Sequence, residues 1–237
     1  MFRLSKHCFL LYNTLQKGSV KMENRYASRI EKVQMSSIRV VMEKVEKLRS
    51  QGKSVVSLCA GEPDFNTPEG IKKATIEALN DNQTHYSSNR GYLGLRKKVA
   101  HLLKEQTTID YDSDTEIIMT CGCSEAINNV CQAFINKDDE VIIFTPAFVS
   151  YQNTVLLCQG IPVEIPLKLS LGFQIDIEEV KNKITKKTKM IILNNPNNPT
   201  GAVYQKETLE QLCKLARENN ILILADEIYN QLDYENQ

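Results

Sequence analysis

Four short segments hold the residues whose types and spacing could do chemistry, and each of them follows an apolar run. TCGCSEAI (120–127) places Gly122, Cys123 and Ser124 where the chain turns into a helix, with backbone N–H groups presented at its positive end. That is an anion site suited to phosphate, with the Ser124 hydroxyl as one more donor; taken alone, it reads first as a helix cap. TPAFVSY (145–151) sets Phe148 just past a strand, as core or as a plate against a flat ring. NNPNNPTG (194–201) follows MIIL, and its two prolines remove backbone donors and hold the residues before them extended. The result is a stiff loop of Asn amides, which both donate and accept; a surface turn has the same composition. LADEIYNQL (224–232) ends an apolar run on Asp226, with Tyr229 three residues later. A carboxylate there needs a donor or a cation, unless it caps the turn that follows.

The elements that must position these segments follow from periodicity. From Glu116 onward EIIMT, EVIIF, IPVEIPL, KMIIL and ILILAD read as strands, apolar throughout. SEAINNVCQAFI, FVSYQNTVLLC, DIEEVKNKI and KETLEQLCKLAREN read as the helices between them, and Asp176 with Glu179 three residues on predicts a capping box. Upstream, SSIRVVMEKVEKLR (36–49) predicts a helix stopped by Gly52, and VVSL (55–58) a short strand. Thr67 and Pro68 open a helix over PEGIKKATIEAL, and LGLRKKVAHLLKEQ (93–106) forms another. Apolar strands alternating with amphipathic helices predict an α/β fold of three layers, a mostly parallel sheet covered on both faces. Such sheets hold ligands at the carboxyl ends of their strands, so the four segments should meet in one crevice. A phosphate nest, a stacking ring, an amide and a buried carboxylate together describe a site for a flat, phosphorylated, nitrogenous ring. Pyridoxal 5'-phosphate fits that description, with Asp226 keeping the ring nitrogen protonated so that the ring withdraws electrons from the substrate's alpha carbon.

Composition excludes little else. Lys+Arg and Asp+Glu both count 29, which points to no nucleic-acid partner and no anionic membrane surface. No apolar stretch approaches the roughly 18 residues of a membrane span. The 7 cysteines are an odd number scattered through apolar segments, read as reduced thiols, and Cys121 and Cys123 lack the partners a zinc site needs, so no metal is expected. Residues 1–21 are basic and free of acids, an unstructured leader or extension or a weak organelle-targeting segment, and the expected location is cytoplasmic.

In order along the chain, SLCAGEPDFNTPEGI, HYSSNRGYLGLR, TCGCSEA, DDEVIIFTPAFVSY, NNPNNPTG and ADEIY resemble the pyridoxal-phosphate-dependent class I/II aminotransferases of fold type I, over residues 22 to 237. The resemblance implies that Gly122, Cys123 and Ser124 cradle the cofactor phosphate and that Phe148 stacks on the pyridine ring. It implies that Asn198 and Tyr229 hydrogen-bond the ring's phenolic oxygen, that Asp226 pairs with the ring nitrogen, and that Ala60, Gly61 and Asn198 lie by the substrate. Tyr86 resembles the tyrosine given across a homodimer interface to the partner's phosphate. The implied organisation is a leader at 1–21, an N-terminal arm and part of a small domain at 22–66, and the cofactor-binding large domain at 67–237. The implied reaction moves an amino group between an amino acid and a 2-oxo acid. The family's Schiff-base lysine lies farther beyond the matching aspartate than Gln237, and Lys214, upstream of Asp226, is no substitute. The chain is therefore expected to be incomplete at its C-terminus, to hold no catalytic lysine and to be inactive alone. Two alternatives share these motifs: another reaction of the same cofactor, such as a carbon–sulfur lyase or an aminocyclopropane-carboxylate synthase, and a non-catalytic truncated paralogue.

Overall fold

A computed structural model describes residues 27–33, 37–58, 61 and 65–232. The leader at 1–21, the start of the arm, and Ala60 lie outside them. The helices are α1 (Ser37–Ser50), α2 (Glu69–Asn80), α3 (Leu93–Thr107), α4 (Cys123–Phe134), α5 (Val149–Leu157), α6 (Ile177–Lys183) and α7 (Lys206–Glu218). The strands are β1 (Glu140–Thr145), β2 (Ile161–Pro166), β3 (Thr188–Asn194) and β4 (Leu222–Asp226), in spatial order β2-β1-β3-β4, with every pair parallel. Among the described residues no helix is long and apolar enough to cross a membrane.

The central strands β1 and β3 are apolar at consecutive positions because both faces of the sheet are covered there, while the edge strands β2 and β4 are only partly buried. Val141 and Ile143 of β1, with Met190 and Ile192 of β3, face Ile127 and Cys131 of α4 and Tyr151 and Val155 of α5. Ile142 and Phe144, with Ile191 and Leu193, pack on the other side against Val180 of α6 and Leu212 and Leu215 of α7. Each fully buried aliphatic side chain contributes on the order of 1.5–3 kcal/mol, so these two layers supply most of the drive for folding. α6 is capped by Asp176, whose carboxylate accepts from the backbone N–H of Glu178 at 3.1 Å and Glu179 at 3.3 Å. The reciprocal half of the expected capping box is replaced, because Glu179 pairs with Lys168 at 3.2 Å.

Three local expectations are corrected. Residues 55–58 form no strand; Val56 and Leu58 are 86% and 93% exposed, with no neighbouring strand among the described residues to share a ladder. Residues 116–120 form none either, and Met119 instead donates its N–H to the carbonyl of Arg90 at 3.0 Å. At the start of α2, Pro68 rather than Thr67 occupies the capping position, and no side chain caps the helix.

From β1 the chain crosses through α5 to β2 on one side, then returns through α6 to β3 on the other. The strand order thus reverses between β1 and β3. In parallel sheets the crevice at such a reversal, beyond the carboxyl ends, is where ligands sit. β1 delivers Phe148 there, β3 delivers the Asn-Pro loop, and β4 ends beside it on Asp226.

Candidate active site at the strand ends

The approach to α4 is held by backbone proximity. Gly91 has φ 87°, and a Cβ there would lie 2.7 Å from the Met119 Cβ, so only glycine lets the two segments meet. Arg96 is 4% exposed; it donates to the Gly91 carbonyl at 3.3 Å and to the Ser113 carbonyl, with Asp114 Oδ1 at 3.4 Å. This clamp fixes the stretch that enters the turn. Gly122, at φ 83° and ψ 168°, occupies the N-cap of α4, and no side chain caps the helix. A Cβ at Gly122 would touch nothing within 4 Å, so conformation rather than crowding calls for glycine there. Cys123 and Ser124, the first residues of α4, are exposed, and the N–H groups of a first helical turn have no partner within the helix, which suits them to an anion. The Glu125 carboxylate accepts from the N–H of Cys121, just outside the helix.

Phe148 is the N-cap residue of α5, half-buried, with its ring edge-on to Tyr151 at 5.7 Å and 82°. Tyr151 is 2% exposed and donates its hydroxyl to Asp226 Oδ2 at 2.6 Å. Burial first, and then the Asp226 carboxylate, push this phenol far above its ordinary range, so it remains a donor at any physiological pH.

Asp226 is buried, and its second oxygen accepts from the Ile228 N–H at 3.2 Å. Among the described residues no Lys, Arg or His forms an ion pair with it. The loop after β3 is braced by its own amides. Asn194 joins the Asp226 carbonyl at 3.0 Å to the Asn198 N–H at 2.7 Å, and Asn195 Oδ1 accepts from the Tyr204 N–H at 3.0 Å. Asn198 Nδ2 donates to the Tyr229 hydroxyl at 3.1 Å. A cavity of about 380 Å³ opens between the start of α4 and the end of β4, lined by Cys123, Ala126, Ile127, Leu224, Asp226 and Ile228.

Gly122, Cys123, Ser124, Phe148, Asn198, Asp226 and Tyr229 thus all stand at the same end of the sheet. Tyr86 and Gly61 do not join them: Tyr86 is fully exposed on the loop between α2 and α3, and Gly61 is exposed at the surface. Two residues of the arrangement were missed in the sequence. Tyr151 carried a signal, its i, i+3 spacing from Phe148 on one helix face. Asn194 carried none of its own, because its importance comes from standing opposite Asp226 in the β3–β4 register.

The description "Aminotransferase class I and II" matches residues 53–237. The chain is 37% identical over 213 residues to a probable aspartate/prephenate aminotransferase of Aquifex aeolicus, covering 90% of this chain and 54% of that one. It is 40% identical over 209 residues to aromatic-amino-acid aminotransferase 2 of Thermococcus litoralis, covering 88% and 53%. Among solved structures, aspartate aminotransferase from Thermus thermophilus with maleate superposes with TM-score 0.87 at 39% identity, over 90% of this chain and 56% of that one. Alanine aminotransferase from Pyrococcus furiosus superposes with TM-score 0.84 at 33% identity, over 90% and 55%. The chain spans about half the length of the curated relatives it matches. Its fold, its ordered motifs and these matches place it in one family: the chain belongs to the class I and II aminotransferases.

Proposed function

We propose that the strand-end crevice binds pyridoxal 5'-phosphate and serves amino transfer between an amino acid and a 2-oxo acid. The observation that carries this reading is Asp226, a buried carboxylate with a neutral phenol, a backbone N–H and no described cation beside it. A buried carboxylate in that setting is matched by a protonated ring nitrogen. The uncapped start of α4 supports a phosphate, and the half-buried Phe148 ring supports a stacking partner.

Bound there, pyridoxal 5'-phosphate supplies a ring that withdraws electrons from the substrate's alpha carbon. The chain's own residues bind and orient. The N–H groups of Gly122, Cys123 and Ser124 hold the phosphate, Phe148 stacks on the ring, and the paired Asn198 amide and Tyr229 hydroxyl meet the phenolic oxygen. Asp226 meets the ring nitrogen, and the Tyr151 hydroxyl orients the Asp226 carboxylate. Proton movement at the alpha carbon is assigned to none of these residues. Tyr86 is assigned to the contact with a second copy in a homodimer, a role its full exposure supports.

Relatives named as aspartate and aromatic aminotransferases direct the first choice of donors to aspartate and aromatic amino acids. The protein, supplied with pyridoxal 5'-phosphate, a ¹⁵N-labelled donor and a 2-oxo acid, should deliver the label into a new amino acid. Eliminated product with no transferred label would overturn the aminotransferase reading in favour of a lyase.

A further inference from the structure

We infer that Asn194 is a positioning residue that sets the spacing between the two ends of the ring site, Asp226 at one end and the Asn198–Tyr229 pair at the other. This rests on the pyridoxal-phosphate reading above. Asn194 is 4% exposed and stands opposite Asp226 as the last matched pair of β3 and β4. Beyond that pair the two strands separate into different loops, joined by one further backbone bond, from the Asn195 N–H to the Asp226 carbonyl at 3.2 Å. The Asn194 amide takes over from the ladder. Its Nδ2 donates to the Asp226 carbonyl at 3.0 Å while its Oδ1 accepts the Asn198 N–H at 2.7 Å.

The contacts close a circuit. Asp226 leads through three residues to Tyr229, whose hydroxyl accepts from Asn198 Nδ2 at 3.1 Å. Asn198 returns through its backbone N–H to Asn194, and Asn194 returns to the Asp226 carbonyl. One link has a substitute. The Asp226 carbonyl also accepts from the Asn195 N–H at 3.2 Å, but the Asn198 N–H has Asn194 Oδ1 as its partner. A side chain here must therefore donate in one direction and accept in the other, which an amide does and a carboxylate does not. Removing it frees the phenol-oxygen partners to drift relative to the ring-nitrogen partner, while the phosphate turn at α4 lies outside the circuit.

The test measures the affinity of the protein and of its Asn194→Ala, Asn194→Asp and Asn198→Ala variants for three probes. These are pyridoxal 5'-phosphate, its 3-deoxy analogue lacking the phenolic oxygen, and inorganic phosphate. Asn194→Ala should weaken pyridoxal 5'-phosphate by roughly tenfold, the scale of one lost hydrogen bond at a buried site. It should leave the 3-deoxy analogue and phosphate within about twofold. The bound ligand's phenol ionisation should shift in the same direction as in Asn198→Ala. Equal weakening of all three probes, or no weakening of any, would overturn the inference. Asn194→Asp keeps the acceptor for Asn198 and loses the donor, so it should fall between the unaltered protein and Asn194→Ala. Should Asn194→Ala not fold, hydrogen exchange on the unaltered protein still decides: the Asn198 amide must exchange slowly, and more slowly with pyridoxal 5'-phosphate than with the analogue. Rapid exchange sinks the inference. An unaltered protein that binds phosphate no less tightly than pyridoxal 5'-phosphate would instead overturn the cofactor reading itself.

Discussion

Tyr151 and Asp226 are joined by a 2.6 Å hydrogen bond from a buried phenol to a buried carboxylate. Hydrogen bonds to charged groups are worth about 1.5–3 kcal/mol when one partner is removed and the other stays buried. Tyr151→Phe should therefore lower unfolding stability by about 1–3 kcal/mol in urea titrations and weaken pyridoxal 5'-phosphate several-fold, because the carboxylate loses its orienting donor. Unchanged stability would mean that the bond is not formed in solution. The raised phenol pKa sets the pH expectation. The hydroxyl stays protonated between about pH 5 and 9, so binding across that window should show no step from Tyr151.

At the scale of elements, two features position the site. Gly91 lets the loop before α3 lie against Met119, and Gly91→Ala combines a positive φ with a 2.7 Å contact. It should cost about 1–3 kcal/mol of stability and weaken binding of inorganic phosphate, since the displaced Met119 leads into the turn before α4. Phosphate binding that survives intact in a folded Gly91→Ala would break that link. The core layers beneath the site make the second feature. Ile142→Ala, in a fully buried position of β1, should destabilise by about 2–5 kcal/mol in the same unfolding assay. Cys131 of α4 adds a pH signature. Burial first, and then neighbouring Cys158, push its thiol from 9.0 up to about 11. A thiol with a raised folded-state pKa favours folding below its unfolded value, and that advantage is lost as pH rises through the folded one. Stability should thus decline between pH 9 and 11, and Cys131→Ala should flatten the decline.

The same elements show what was legible in the chain. β1 and β3 were readable because strands buried on both faces must be apolar throughout, and few other elements need that. VVSL and EIIMT carry the same composition yet form no strand, because a strand is completed by a partner that local sequence does not contain. Phe148 and Asp226 stood out as an aromatic and a carboxylate at strand exits. Asn194 was one Asn among four until the β3–β4 register put it opposite Asp226.

At the scale of the whole molecule, strand order does the assembling. β2-β1-β3-β4 reverses direction at β1 and β3, and this brings segments from 120 to 229 in the sequence to one crevice. Membership of the class I and II aminotransferases follows from the matched residues 53–237, and the proposed chemistry follows from what the crevice holds. The most direct test is a titration of pyridoxal 5'-phosphate into the protein and into its Asp226→Ala variant, followed by ligand absorbance and fluorescence. Saturable binding by the unaltered protein, weakened at least about tenfold in a folded Asp226→Ala, is the predicted result. Equal affinity in the two proteins would contradict the account, because the ring nitrogen would then not be facing Asp226.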